Sequence, residues 1–264
     1  MSSGNSKGHG ARRIALVDVN NFYASCETVF DPTLRGKSVV VLSNNDGCVV
    51  ARSAEAKAFN IKMAQPWHEV PKRVQAQTVA YSSNYTLYAD MSQRVMSILR
   101  EMAPHQEVYS IDECFLDLTG IRNLREHGLE IRHRVGQWTG LTVCVGIGST
   151  KTRAKLANQI AKKHPEFGGV FDLEAIDADE ERRWLQRLPV DEVWGVGRRL
   201  SQHLMQMGIR SVWDLRTAPA KALRDRFNVV VERIIAELNG ESCLELEMLT
   251  PPRQQIRSSR SFGK

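Results

Sequence analysis

Three carboxylates fall where apolar, β-branched runs stop. Asp18 closes RRIALVDV, and Asp112 and Glu113 stand between EVYSI and CFLDL. Carboxylates gathered at one end of a sheet repel one another, so something positive must hold them together. Hard oxygen ligands on an open surface suit Mg²⁺, which keeps several waters and takes a few carboxylates together with substrate phosphates. Two such ions, about 4 Å apart, clamp the attacking and leaving oxygens of an in-line phosphoryl displacement. The plainer reading is an Asp-Glu pair in an exposed β-turn, and the residues alone leave both open.

A cationic set accompanies them. Arg52 ends the run CVVARS and Lys57 lies on the short helix after it; Lys162 sits near the end of a basic helix that includes Lys151, Arg153 and Lys155. A Mg²⁺-bound triphosphate has negative charge to spare, and lysine meets it as a point charge. Taken singly, each of these cations also fits a solvated helix face. Further on, VWGVGRRLSQHLMQMGI places a Gly-x-Gly turn, Gly195 and Gly197, between a short helix and an amphipathic one. Glycines let backbone approach a DNA phosphate, and amides at the next helix N-terminus, with Arg198 and Arg199, hold it without reading sequence. A tight turn between helices explains the same pattern.

The elements that must position these groups follow from periodicity. The β-rich run to Asp18 is succeeded by a short helix, NNFYASCETVF, with Phe22, Cys26 and Val29 on one stripe. SVVVLS and CVVARS flank Asn45-Asp46-Gly47, a strong hairpin turn. AEAKAFNI and PWHEVPKRV are short helical pieces, so residues 22–83 read as a small irregular insertion. A long amphipathic helix carries Tyr88, Met91, Val95, Ile98, Leu99 and Met102 at helical spacing. Strands EVYSI and CFLDL, a helix over roughly 121–138 and the strand LTVCVGIG come next. That β-α-β-β-α-β order is the ferredoxin-like split motif, an antiparallel sheet with both helices on one face. KTRAKLANQIAKKH is a basic helix and GGVFDL a final strand. After about Leu173 strand patterns vanish, and four or five short helices form a separate small helical domain. The class is α+β followed by an all-α segment.

Composition bounds the rest. The 264 residues are 42% hydrophobic and 25% charged, an ordinary globular balance that excludes a disordered tail, a collagen or a disulfide mini-protein. The formal charge of +6 hints at an anionic partner. No apolar run approaches the roughly 18 residues of a membrane helix, so no membrane role is expected. Five scattered cysteines suggest buried thiols in a reducing cytosol, hence a cytoplasmic location. MSSGNSKGHG, with no apolar stretch, reads as a flexible leader over residues 1–10.

The segments VDVNNFYASCE, SNNDGCVVARSAEAKAF and YSIDECFLDL resemble the Y-family translesion DNA polymerases, and among them the UmuC branch. The resemblance runs over residues 11–264. It implies a palm of residues 11–21 and 84–169, fingers of 22–83, and a thumb of 170–243 with a helix-hairpin-helix near 194–209. Residues 244–264 then correspond to a linker and the first strand of a little finger domain that the chain does not go on to complete. By the same resemblance, Asp18 and Asp112 hold two Mg²⁺, Glu113 completes the site for primer activation, and the Val19 carbonyl touches the nucleotide-side ion. Tyr23, beside Phe22, matches the aromatic gate under the nucleotide sugar, and Lys57 and Lys162 match the triphosphate-holding cations. Ala54 departs from the pattern, since many members carry a phosphate-binding tyrosine there.

The implied activity is error-prone, SOS-type translesion synthesis on primer–template DNA with deoxynucleoside triphosphates. The implied partners of the full-length protein are a UmuD-like dimer, RecA and the sliding clamp. Two rivals are a non-catalytic DNA-binding homologue acting as an adaptor, which has no need of the three carboxylates, and a palm-type nucleotide cyclase, which has no need of Tyr23 or the helix-hairpin-helix.

Overall fold

The computed structural model describes residues 11–247. The expectations for residues 1–10 and 248–264 lie outside the described residues. In chain order the first elements are β1 (Ile14–Val19), α1 (Phe22–Phe30), β2 (Ser38–Leu42), β3 (Val49–Arg52), α2 (Ala54–Ala58), α3 (Lys72–Gln75) and β4 (Thr78–Ser82). They are followed by α4 (Tyr85–Arg100), β5 (His105–Val108), β6 (Glu113–Asp117), α5 (Leu124–Thr139), β7 (Val143–Gly148), α6 (Lys151–Lys163) and β8 (Val170–Asp172). Five helices end the described chain: α7 (Ala178–Arg187), α8 (Arg198–Gln206), α9 (Val212–Thr217), α10 (Ala220–Arg226) and α11 (Val229–Leu238).

The main sheet runs β5-β6-β1-β7-β8. Its first four strands are antiparallel, as the ferredoxin-like order requires, and β8 adds a parallel edge beside β7. Central β1 is buried along its whole length, because both faces of the sheet are covered. Side chains alternate along a strand. Ala15, Val17 and Val19 join Leu116, Val143 and Val145 under α4 and α5, while Ile14, Leu16 and Phe115 face Ala154 of α6. Asp18 is in phase with Ile14 and Leu16, so it faces α6 too. Two glycines of β7 allow that helix its close approach: a Cβ at Gly146 would lie 1.9 Å from the Asn158 amide nitrogen, and one at Gly148 2.6 Å from that of Ala154. Asn158 then donates to the Leu16 and Cys144 carbonyls at 3.1 and 2.8 Å, tying α6 to β1 and β7. Thr150 caps α6 by accepting from the Arg153 amide.

Two expectations need correction. Residues 22–83 are more regular than the irregular insertion their sequence suggests, since β4 pairs in parallel with β2 to make a second sheet, β3-β2-β4. TVAYS is an edge strand, only half-buried, with Val79 and Tyr81 packed on the core. Strand β5 stops at Val108, and Glu113 heads β6 instead of lying in the turn. The last helices pack on α6, with Leu156 and Ile160 among Trp184, Leu204 and Ile235.

Candidate active site

The acidic turn is locked to the end of β1. Asp18 and Glu113 are directly opposed across β1 and β6, and the Val19 amide donates to the Asp112 carbonyl at 2.9 Å. Ser110 builds the turn: its hydroxyl donates to Asp112 Oδ1 at 2.7 Å and accepts from the Asp112 and Glu113 amides. Asp18 is only 9% exposed. Burial, opposed by Lys162 and reinforced by the Glu113 and Asp112 charges, pushes its carboxyl up to about 6. Lys162 Nζ lies 2.6 Å from Asp18 Oδ2.

A pocket of about 400 Å³ opens over this turn. Asp18, Val19, Phe22, Tyr23, Lys57, Asp112 and Lys162 all line it, so seven of the residues singled out in the sequence converge. Arg52 and Met63 line it too. The volume falls in the range typical of small-molecule sites. Asn21 takes the left-handed conformation that starts α1 (φ 51°), one that asparagine tolerates better than most residues. Its side chain caps nothing and instead accepts from Lys57 Nζ at 2.5 Å. Partial burial, Arg52 and Lys162 hold the Lys57 ammonium below the usual lysine range, against the pull of Asp18.

Tyr23 is held by other rings. It stacks on Tyr88 with centroids 4.2 Å apart and planes 14° apart, and meets Tyr85 edge-on at 6.1 Å. Tyr88 is fully buried and donates its hydroxyl to Glu27 Oε1 at 2.6 Å. The ring at the pocket therefore rests on a fixed platform.

Glu113 is the exception among the carboxylates. It does not line the pocket, and both of its oxygens accept from Lys155 Nζ, at 2.9 and 3.0 Å. Among the described residues, no three His, Cys, Asp or Glu side chains are gathered closely enough to hold an ion. The donor set is nonetheless hard oxygen throughout, and Asp18 is a desolvated carboxylate whose charge a divalent cation would relieve. That chemistry fits Mg²⁺.

Gly195, Gly197, Arg198 and Arg199 lie apart from the pocket, at the start of α8. The short helix before them is a 3₁₀ helix, Val190–Glu192. Gly195 has φ +91°, and a Cβ there would meet Ile234 at 2.9 Å, so only glycine fits. Gly197 starts α8 without a side-chain cap, leaving its first amides open beside two exposed arginines.

The structure also brings in residues that spacing did not single out. Asn21, Tyr85 and Tyr88 carry no signal of a site, since each reads as a turn or helix-face residue. Ser110 was adjacent to the acids but had no assignable part. Lys155 was one lysine among several on a basic helix, and only the register of β6 beneath α6 selects it.

This arrangement has counterparts. An insertion ternary complex of Dbh DNA polymerase superposes with a TM-score of 0.76 at 25% identity, over 89% of this chain and 69% of that one. The palm, fingers and thumb of Y-family DNA polymerases are the fold seen here. The impB/mucB/samB family profile matches residues 17–159, and the chain belongs to that family. Protein UmuC of Salmonella typhimurium is 55% identical over 255 residues, which is 95% of this chain and 60% of the relative. Protein SamB of the same organism is 52% identical over 254 residues with the same coverage. DNA polymerase IV of Saccharolobus solfataricus is 32% identical over 255 residues, 93% of this chain and 69% of the relative. The chain thus spans about 60% of the length of UmuC and SamB.

Proposed function

We propose that this chain is the catalytic core of a template-directed DNA polymerase of the error-prone translesion class. It joins a deoxynucleoside triphosphate to a primer 3′-hydroxyl and releases pyrophosphate. The observation that carries the reading is one pocket with two carboxylates, three cations and a braced aromatic ring on its walls. Asp18, Asp112 and the Val19 carbonyl, with Glu113 once released from Lys155, would hold two Mg²⁺, which would supply charge stabilisation to the phosphoryl displacement.

The chain's own residues do the rest by position and charge. Lys57 and Lys162 meet the triphosphate. Lys162 is paired with Asp18 and Lys57 donates to Asn21, so a bound polyphosphate and its cations replace one ion pair and one hydrogen bond with new charge pairs. Ser110 keeps Asp112 aimed, and Tyr23 lies under the sugar. We assign residues 11–21 and 84–169 to the palm, 22–83 to the fingers and 170–243 to the thumb. Gly195, Gly197, Arg198 and Arg199 grip the duplex backbone without reading bases. In the whole protein, a UmuD-like dimer, RecA and the sliding clamp are the partners the family suggests, in the cytoplasm. Among the described residues no helix is long and apolar enough to cross a membrane.

Primer extension with single deoxynucleotides and Mg²⁺ tests the reading. Asp112→Ala is expected to abolish incorporation and leave the circular dichroism spectrum intact, since removing one of several repelling carboxylates costs chemistry and not fold. Turnover within a few-fold of the parent would sink the metal assignment. A parent that binds duplex yet extends no primer would favour the non-catalytic adaptor.

A further inference from the structure

Helix α6 lies over the sheet with three lysines on the covered side, and each meets an acid from a different strand. Lys151 pairs with Glu107 of β5, Lys155 with Glu113 of β6 and Lys162 with Asp18 of β1. The outer two differ in kind. Lys151 and Glu107 are both buried and far from the pocket, a structural pair; Lys162 is at the pocket rim. Lys155 stands between these roles, and its surroundings are unlike either.

The Lys155 ammonium sits within three aromatic rings: Tyr109 at 4.6 Å, Trp194 at 5.1 Å and Phe115 at 5.8 Å from the ring centroids. Tyr109 meets Phe115 and Trp194 edge-on at 5.6 and 5.5 Å, so the rings brace one another. Such faces attract a cation and fix its place. Phe115 belongs to β6, two residues beyond Glu113, and Tyr109 precedes the Ser110 turn. Trp194 comes from the helical region, immediately before Gly195 and the two arginines of α8. Both Glu113 oxygens are taken by this one ammonium, and Glu113 is not among the residues that line the pocket with Asp18 and Asp112.

We propose that Lys155 is a positioning residue for Glu113, and that Trp194 makes its hold depend on where the thumb sits. Glu113 has two claimants for its charge, the caged ammonium and a divalent cation at the acidic turn. The tighter the cage, the more firmly Glu113 is kept from the cation. Trp194 is neutral and, in the polymerase reading, is carried by the segment that grips duplex. A thumb engaged on DNA therefore acts on the catalytic carboxylates through one indole ring and one lysine. The inference rests on the polymerase reading of the pocket.

The test follows Mn²⁺ binding to the DNA-free 264-residue chain by electron paramagnetic resonance, counting only the binding that Asp18→Asn removes. Lys155→Met and Trp194→Leu are each expected to tighten Mn²⁺ several-fold, with thermal melts showing that both variants fold. Introduced into Glu113→Gln, the same two changes are expected to leave Mn²⁺ affinity unaltered within about twofold. The Trp194 variant decides the matter, because removing a neutral ring changes no charge near the pocket. Unchanged affinity in Trp194→Leu, or an equal shift in the Glu113→Gln background, overturns the coupling while the polymerase reading stands. A parent that binds no Mn²⁺ and incorporates no nucleotide overturns both.

Discussion

Asp18 is kept ready for a cation at a cost that pH reveals. Its folded carboxyl titrates at about 6 instead of its ordinary 3.8, so the folded state holds the proton more tightly than the unfolded chain. The stability this contributes is complete below pH 4 and is lost as pH rises through 6. With one unit equal to 1.36 kcal/mol, the loss is about 3 kcal/mol by pH 7. Asp18→Asn has no such term. Urea denaturation in EDTA should therefore show the variant gaining on the parent by up to about that amount between pH 4 and 7, and Mg²⁺ should erase part of the gain. A difference that ignores pH would mean that Asp18 is not under this strain. Tyr23 gives a second expectation at the same scale. Its ring stacks on Tyr88, so in the proposed reading a ribose 2′-hydroxyl meets a braced apolar face that offers it no partner. An unpaired hydroxyl costs about 1–3 kcal/mol, roughly 5- to 150-fold in selectivity. Tyr23→Ala should lower the preference for deoxy- over ribonucleotides by that factor, measured as the ratio of single-nucleotide insertion rates, while deoxynucleotide insertion largely persists.

At the scale of elements, the site depends on how closely α6 lies on β7. A methyl group at Gly146 would fall 1.9 Å from the Asn158 nitrogen and 2.4 Å from the Ala154 carbonyl oxygen, both backbone atoms of α6. The helix must lift to admit it, and overpacking of this kind typically costs about 1–3 kcal/mol. Lys155 and Lys162 move with the helix. Gly146→Ala is thus expected to lower the melting temperature and, at temperatures where the variant is fully folded, to reduce nucleotide incorporation as well. A loss of stability with unchanged incorporation would show that the lysines tolerate the shift. Elements of this kind were legible in the sequence where a periodicity was pure. β1, α4 and β7 announce themselves because one physical demand, burial on one or both faces, shapes every residue in them. β4 does not, since an edge strand is half wet. The carboxylates and Tyr23 were legible through the resemblance their segments bear to a family. Lys155 was not, because its role is set by the register of a strand 40 residues away, and nothing local to KTRAKLANQIAKKH distinguishes one lysine from the next.

At the scale of the whole molecule, the helical region and the sheet are braced through the first turn of α6. Arg153 is buried and reaches Glu174 at 2.7 Å, Glu181 at 2.6 Å and the Leu238 carbonyl at 3.1 Å. Glu237, also buried, accepts from the amides of Thr152, Cys243 and Leu244. These bonds join α6, α7, α11 and the segment after α11 to one another. In the proposed reading, duplex at the start of α8 is gripped by charge and backbone amides. Binding of that kind releases counterions, and each phosphate neutralised adds about −0.9 to the slope of log affinity against log salt. The DNA affinity of this chain should therefore fall steeply with salt and differ little between sequences of equal length. Arg198 and Arg199 are exposed and unpaired with any acid among the described ion pairs, so each is free to meet a phosphate. Replacing both by alanine should flatten the slope by roughly 2 and weaken binding equally on every sequence, as read by fluorescence anisotropy from low to moderate salt. An unchanged slope would move the duplex grip away from α8 and onto the lysines of the pocket rim.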